Sequence, residues 1–447
     1  MTVRIAVTRR AVLLACALFA AVATPASGAR DGDRRPIVFV HGNGDSAAEW
    51  MVTLWRFESN GYPRDRLFAV NLRFPTARTL DDEPEAGTSS SAEAAKRLAG
   101  FVEDVLAETG ARKVALVGNS RGATVVRNFV ENGGGADVVS HVALGGGVNH
   151  GVFNSPFIRP TSEFNGASPF MQQLNKGADE VVEGVKFLTL RSDLFDKYAQ
   201  PDGRFVFGIP GLPTGISYDA PALKGAKNIV LPGVDHREAA MGRDAFPEIF
   251  EFLTGEEPRR LRVKAERRPL LDGVVTGLTA GLYDNVPVEG ADLKIFEVDP
   301  RSGERRGEAV HDVTTGRDGA WGPFEADPDA AYEFVLDVPG QPVTHIYRSP
   351  FLRGSQIVHL RPAEVVPDGN AGSVVILTRP SGYFGVEDRL TFDGARPSVS
   401  TDPVPNVATA TLRVPFEQAS HRARFGDQTI ACLNWPKGHV TIVEFND

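Results

Sequence analysis

Cysteine is almost absent: 447 residues hold two, Cys16 and Cys432. There is no CxxC pair and no HExxH run, and the nine histidines are scattered along the chain. Sequence signatures of structural zinc, catalytic zinc or dithiol redox chemistry are therefore missing, and neither a metal nor an organic cofactor is expected. A basic surplus is missing too. The net charge is -9 with no basic stripe, which argues against a nucleic-acid partner. No internal repeat or low-complexity tract stands out. A hydrophobic content of 42% with mixed charge excludes a disordered chain. The length exceeds one ordinary core, so two or three domains are expected.

What is present begins with a leader-like segment. "MTVRIAVTRRAVLLACALFAAVATPASGA" has three arginines, no acid, an apolar run from Ala11 to Ala23, and small residues at Ser27 and Ala29. It reads as a signal peptide over residues 1–29, too short and alanine-rich for a permanent span. Arg9 and Arg10 directly before the apolar run resemble a twin-arginine export signal, with an ordinary Sec signal as the alternative. The expected location is exported, periplasmic or extracellular. Cys16 would leave with the signal, and Cys432 alone cannot form a disulfide within the mature monomer.

From residue 30 to about 258 the chain alternates between two textures. "PIVFVHG", "RLFAVNL", "KVALVGN", "VSHVALGGG", "VKFLTLRSD" and "KNIVLPG" are short, β-branched apolar runs. Helical patterns lie between or after them, notably Ser90 to Gly110 and Ala245 to Gly255. Continuous apolar strands alternating with helices predict a mostly parallel sheet covered on both faces. After "GEEPRR" the runs alternate at period two ("ADLKIFEVD", "AYEFVLDV") and turns are dense. That predicts an all-β C-terminal region, read as a sandwich-like domain at 259–345 and a second β unit at 346–447.

The chemistry centres on "KVALVGNSRGATVV". A G-x-S-x-G run between a strand and a helix makes a sharp turn that lifts Ser120 above the sheet, with room only for glycine at 118 and 122. Ser120 is the candidate nucleophile, and the helix start behind it offers N–H groups to a developing negative charge. A hydroxyl needs a base, and His236 in "NIVLPGVDHREA" follows the last apolar strand. His141 and His150 lie in or just after an earlier strand, and His345, His359, His421 and His439 belong to the β region. The acid should follow the preceding strand, where "FLTLRSDLFDKYAQP" offers Asp193 at the strand end and Asp196 three residues on. Asp193 is preferred for its place at the strand end. The order Ser, Asp, His is that of the α/β-hydrolases. Oxyanion donors are expected from the amides of Arg121 and, in "VFVHGNGDS", Asn43, while His41 is expected to hold that loop.

These residues carry a resemblance. "PIVFVHGNGDSAAEW", "NGYPRDRLFAVNL", "VEDVLAETGARKVALVGNSRG", "VSHVALGGGVNHG", "LRSD" and "GAKNIVLPGVDH" are similar to the class 2 lipases, the group containing small secreted Bacillus-type lipases. The resemblance covers most of residues 36 to 255. It implies an α/β-hydrolase acting on carboxylic esters, with Ser120, Asp193 and His236 as triad and Asn43 and Arg121 at the oxyanion positions. Those lipases usually carry an apolar residue at the position of Asn43 and Met or Gln at that of Arg121. A cation in the first helical turn opposes the helix dipole, so Arg121 is expected to pair with a carboxylate such as Glu163 or with a polar substrate group. "HGNGD" is also similar to some extracellular polyhydroxyalkanoate depolymerases. The β segment from Asp272 to Val338 looks like a carboxypeptidase-regulatory-like or adhesin module.

Three readings follow: a secreted ester hydrolase, a polyester depolymerase with the same triad, and a non-catalytic binding protein on a hydrolase scaffold. The expected partner is an ester, with surface or polymer contact through the β region. Between His150 and Val185, Phe153, Phe157, Ile158, Phe164, Phe170, Met171 and Leu174 are candidates to line an acyl pocket, or to anchor that insertion on the core.

Overall fold

The computed structural model describes residues 34–364, 372–399, 402–415 and 417–446. The signal assigned to residues 1–29, with Arg9, Arg10 and Cys16, lies outside them. The six apolar runs form one sheet: β1 (Ile37–Val40), β2 (Leu67–Val70), β3 (Val114–Asn119), β4 (Val139–Gly145), β5 (Lys186–Ser192) and β6 (Lys227–Leu231). The order across it is β2-β1-β3-β4-β5-β6, and every pair is parallel. Parallel strands need crossovers, and these cover both faces.

Alternation along each strand sends side chains to two separate cores. Val38, Val40, Leu116, Val142 and Leu144 face α2 (Ser91–Thr109) and α3 (Arg121–Asn132). Ile37, Phe39, Val117, Leu188 and Leu190 face α1 (Met51–Ser59) and a helix at Ala245–Thr254. On that second face Phe57 meets Phe39, Tyr62, Phe246 and Phe250 at ring-centroid distances of 5.3 to 5.7 Å, each tilted or edge-on. The start of α2 is fixed by a reciprocal capping box between Ser90 and Glu93, and Gly110 in the left-handed region ends it.

Among the described residues, every regular element of the C-terminal region is a strand. Its main sheet contains β7 (Asp292–Val298), β8 (His311–Thr314), β9 (Ala331–Asp337), β10 (Val343–Arg348), β11 (Ser373–Thr378), β12 (Thr409–Val414) and β13 (His439–Glu444). The order is β8-β7-β9-β10-β13-β11-β12. The division expected at 345/346 falls inside β10, and this corrects it. β10 pairs in parallel with β13, so one sheet runs through both proposed units. The pairing partners lie almost a hundred residues apart, a link that no local turn signal announces. At this seam Glu333, fully buried, accepts from His345 at 2.7 Å and from Arg305 at 2.6 Å. The β region also seats on the hydrolase domain. Trp55 and Met51 of α1 enter the core containing Leu271, Phe334 and Phe351, and Trp55 Nε1 donates to the Gly354 carbonyl at 2.9 Å.

Candidate functional site

Ser120 stands between β3 and α3 with φ 54° and ψ -120°, a strained backbone for a residue bearing a Cβ. Strain of this kind costs on the order of 1–3 kcal/mol and persists where the surroundings enforce it. The two glycines are needed for different reasons. A Cβ on Gly118 would lie 2.8 Å from the Gly122 carbonyl oxygen, and one on Gly122 would lie 2.4 Å from that of Val40. The turn therefore packs directly on the neighbouring strand β1.

His236 follows β6 and is buried beside Ser120 in one cavity of about 270 Å³. Its Nδ1 meets Asp196 Oδ1 at 2.8 Å and Oδ2 at 2.9 Å. Its Nε2 is buried without a hydrogen-bond partner among the described residues. With a carboxylate on Nδ1, that nitrogen carries the proton and Nε2 is left as acceptor. Asn119 Nδ2 donates to the carbonyls of Gly145 at 2.9 Å and His236 at 3.2 Å, tying the serine turn to the histidine loop.

The acid is a correction. Asp193, expected from its place at the strand end, does follow β5 directly, but its carboxylate turns to backbone. It accepts from Leu194 N at 2.7 Å and from Gly233 N at 3.1 Å. Burial opposes its ionisation, yet these bonds, with that of Ser192, hold its carboxyl below the usual carboxylate range. Ser192 Oγ accepts from Phe195 N at 2.9 Å, folding residues 192–195 into a turn that carries Asp196 onward to His236. Asp193 thus ties the acid loop to the histidine loop, and Asp196 touches the imidazole.

Arg121 is the first residue of α3, so its amide has no intrahelical acceptor. Asn43 lines the cavity, and its side chain accepts from Ala77 N at 2.7 Å. His41 holds this loop from below. Its Nδ1 donates to the Gly42 carbonyl at 2.9 Å, and its Nε2 accepts from Leu72 N at 3.1 Å. Burial pushes its pKa down to about 4, so the ring is neutral, as that pattern requires.

The Arg121 side chain leaves the cavity and is fully buried. It pairs with Glu163 and donates to the carbonyls of Pro75 at 2.7 Å and Ser89 at 2.8 Å. Of the two options read from the sequence, the carboxylate is the one taken. Burial pushes the Glu163 carboxyl upward, and the Arg121 guanidinium opposes that shift. Glu163→Ala should lower unfolding stability by about 3–5 kcal/mol, since it leaves a buried cation unpaired. Urea unfolding of the variant checks this; a loss under 1 kcal/mol would contradict it.

Of the insertion's apolar residues, Phe164 lines the cavity with Val148 and Val152. Phe153 packs with them and with Phe207, while Met171 and Leu174 are buried elsewhere. Phe157 is 90% exposed and Ile158 41%, so neither lines this pocket.

Sequence reasoning missed the β region's share of the site. Tyr383 and Ala408 line the cavity. The Tyr383 ring stacks 6.5 Å from that of His236, and Tyr198 meets the imidazole edge-on at 4.7 Å. Tyr383 N donates to Asp235 Oδ2 at 2.5 Å, and Arg379 reaches Glu238 at 2.5 Å, bracing the histidine loop on both sides. From another direction Arg361 donates to the carbonyls of Gly44 at 3.0 Å and Asp45 at 2.9 Å, and Asn285 Nδ2 to that of Leu72 at 2.8 Å. Both loops of the site are therefore held from the C-terminal region. Among the described residues no cluster of His, Cys, Asp and Glu converges as a metal site.

Residues 34–211 match the family model described as lipase (class 2), and residues 271–365 match the lipase C-terminal domain. The second match replaces the adhesin-like reading of that segment. Solved structures similar to this chain include the mature Bacillus licheniformis lipase BlEst2, at 19% identity over 52% of this chain and 96% of that one, with a TM-score of 0.36. Aspergillus fumigatus lipase B is 15% identical over 53% of this chain and 56% of its own, with a TM-score of 0.36. The Paleococcus ferrophilus monoacylglycerol lipase is 16% identical over 50% of this chain and 96% of that one, with a TM-score of 0.33. With its parallel sheet, its serine turn and these two matched segments, the chain belongs to the class 2 lipase family as a carboxylic ester hydrolase with an appended lipase C-terminal domain.

Proposed function

We propose that the protein cleaves short carboxylic esters through an acyl-enzyme formed on Ser120. His236 Nε2 takes the hydroxyl proton as Ser120 attacks the carbonyl and gives it to the alcohol that leaves when the ester C–O bond breaks. Asp196 orients the imidazole and stabilises its positive form, and the amides of Asn43 and Arg121 receive the oxyanion. The observation that carries this reading is the Asp196 contact with His236 Nδ1, which leaves the buried Nε2 without a partner in the cavity shared with Ser120. The acyl-enzyme is then hydrolysed by water activated at the same nitrogen. Apo geometry at such sites is often loose and tightens with substrate.

The favoured substrates are short because the cavity, about 270 Å³, is small for a ligand pocket and sets Asn43, Lys197 and Arg237 beside its apolar lining. Hydrolysis of p-nitrophenyl esters should be fastest for acyl chains of a few carbons and fall steeply beyond them. An insoluble polyester run alongside should be neither degraded nor bound in a sedimentation assay. A rate that rises with chain length would overturn the short-ester reading, and polyester breakdown would move the function to the depolymerase alternative.

Export through the twin-arginine route completes the proposal. It rests on Arg9 and Arg10 before the apolar run, and on Cys432 being buried and free. Replacing both arginines with lysine should leave full-length precursor inside the cell; undiminished secretion would assign the ordinary route instead.

A further inference from the structure

The cavity carries a cation that this mechanism does not use. Lys197 directly follows Asp196 and lines the cavity together with the apolar side chains of Val148, Val152 and Phe164. Its Nζ donates to the Asn406 carbonyl at 2.9 Å and lies over two rings, 4.1 Å from Tyr383 and 4.8 Å from Tyr198. An ammonium has three donors, and this cage satisfies one by a hydrogen bond. The carboxylates nearest in charge are committed elsewhere: Asp45 to Arg237, Asp196 to His236, and Asp235 to Arg379. Arg237 and Lys197 thus form a positive wall in which Arg237 is neutralised by its own acid and Lys197 is not.

Resting on the reading above, we propose that Lys197 is an anion subsite, and that the preferred substrates are short esters bearing a carboxylate. The rings of Tyr198 and Tyr383, which line the cavity themselves, hold the ammonium of this flexible stem beside it. A bound carboxylate would supply the acceptor that the cage lacks, in a site where charge-assisted bonds are strong. Burial, reinforced by Arg237 and opposed by Asp196, Asp235 and Asp45, lowers the Lys197 pKa to about 8. The ammonium is therefore charged at neutral pH, and the subsite should fade as pH rises through about 8. Tyr198 and Tyr383, pushed upward by burial, stay neutral over that range.

The test uses two matched pairs with the full chain: monoethyl succinate against ethyl succinamate, and acetoxyacetate against acetoxyacetamide. At pH 7 the charged member of at least one pair should show a kcat/KM about tenfold or more above its amide, carried by KM, as one charge-assisted bond implies. The ratio should shrink at pH 9, fall near one in Lys197→Met, and be partly kept in Lys197→Arg. Ratios near one in both pairs, or a preference that Lys197→Met leaves intact, would overturn the proposal and leave Lys197 as a strut for the segment bearing Asn406. Calorimetry of succinate against succinamide with the unmodified protein gives an answer even if the variants fail to fold: tighter succinate binding supports the subsite, equal binding contradicts it. Loss of turnover on every ester would instead count against the ester-hydrolase reading itself.

Discussion

Ser120→Ala should reduce kcat on a short p-nitrophenyl ester by a factor on the order of 10⁶ while leaving the fold intact. The substitution removes the one oxygen that can form the acyl bond, and nothing else in the cavity can replace it. Lys197 is a cation at neutral pH, Tyr198 and Tyr383 are held neutral by burial, and Cys432 is buried in the β region. The backbone at 120 stays as strained for alanine as for serine, since both carry a Cβ. Circular dichroism and urea unfolding should therefore match the wild type. A variant retaining a tenth of the activity would exclude Ser120 as nucleophile.

Asp196→Asn should lower kcat by about 10⁴, because the amide holds the imidazole in the wrong tautomer and cannot stabilise its positive form. The geometry distinguishes this from Asp193, whose carboxylate serves the amides of Leu194 and Gly233. Asp193→Ala should instead lower stability by about 1 kcal/mol, the worth of a typical intramolecular hydrogen bond, and leave most turnover in place. Since the Asp193 pKa is depressed in the fold, its contribution is present at neutral pH and disappears as pH falls through that lowered value. Turnover that collapses in Asp193→Ala and survives in Asp196→Asn would reverse the assignment.

Much of the hydrolase domain is legible because its signals are local. Six apolar runs predict six strands, and each pairs where the βα alternation requires. The serine turn is equally local, being fixed by two glycines within two residues of Ser120. The aspartate is not. Choosing between 193 and 196 depends on whether Ser192 closes a turn after β5, and a three-residue offset there leaves no periodic trace. The β region is less legible still. β10 finds β13 across almost a hundred residues, so a boundary drawn from turn density cut a single sheet. Nothing in the string near Tyr383 or Arg379 announces that these residues meet Asp235 and Glu238, some 140 positions earlier. A reading that places every reacting group before residue 258 therefore overlooks what holds two of the site's loops in position.

The most direct test of the account is to label the intact protein with a fluorophosphonate and map the adduct by mass spectrometry. One equivalent should attach, on the peptide containing Ser120. Labelling should be abolished in Ser120→Ala and strongly slowed in Asp196→Asn, since the reagent needs the activated hydroxyl. An adduct on any other residue, or equal labelling of the Ser120→Ala protein, would contradict it.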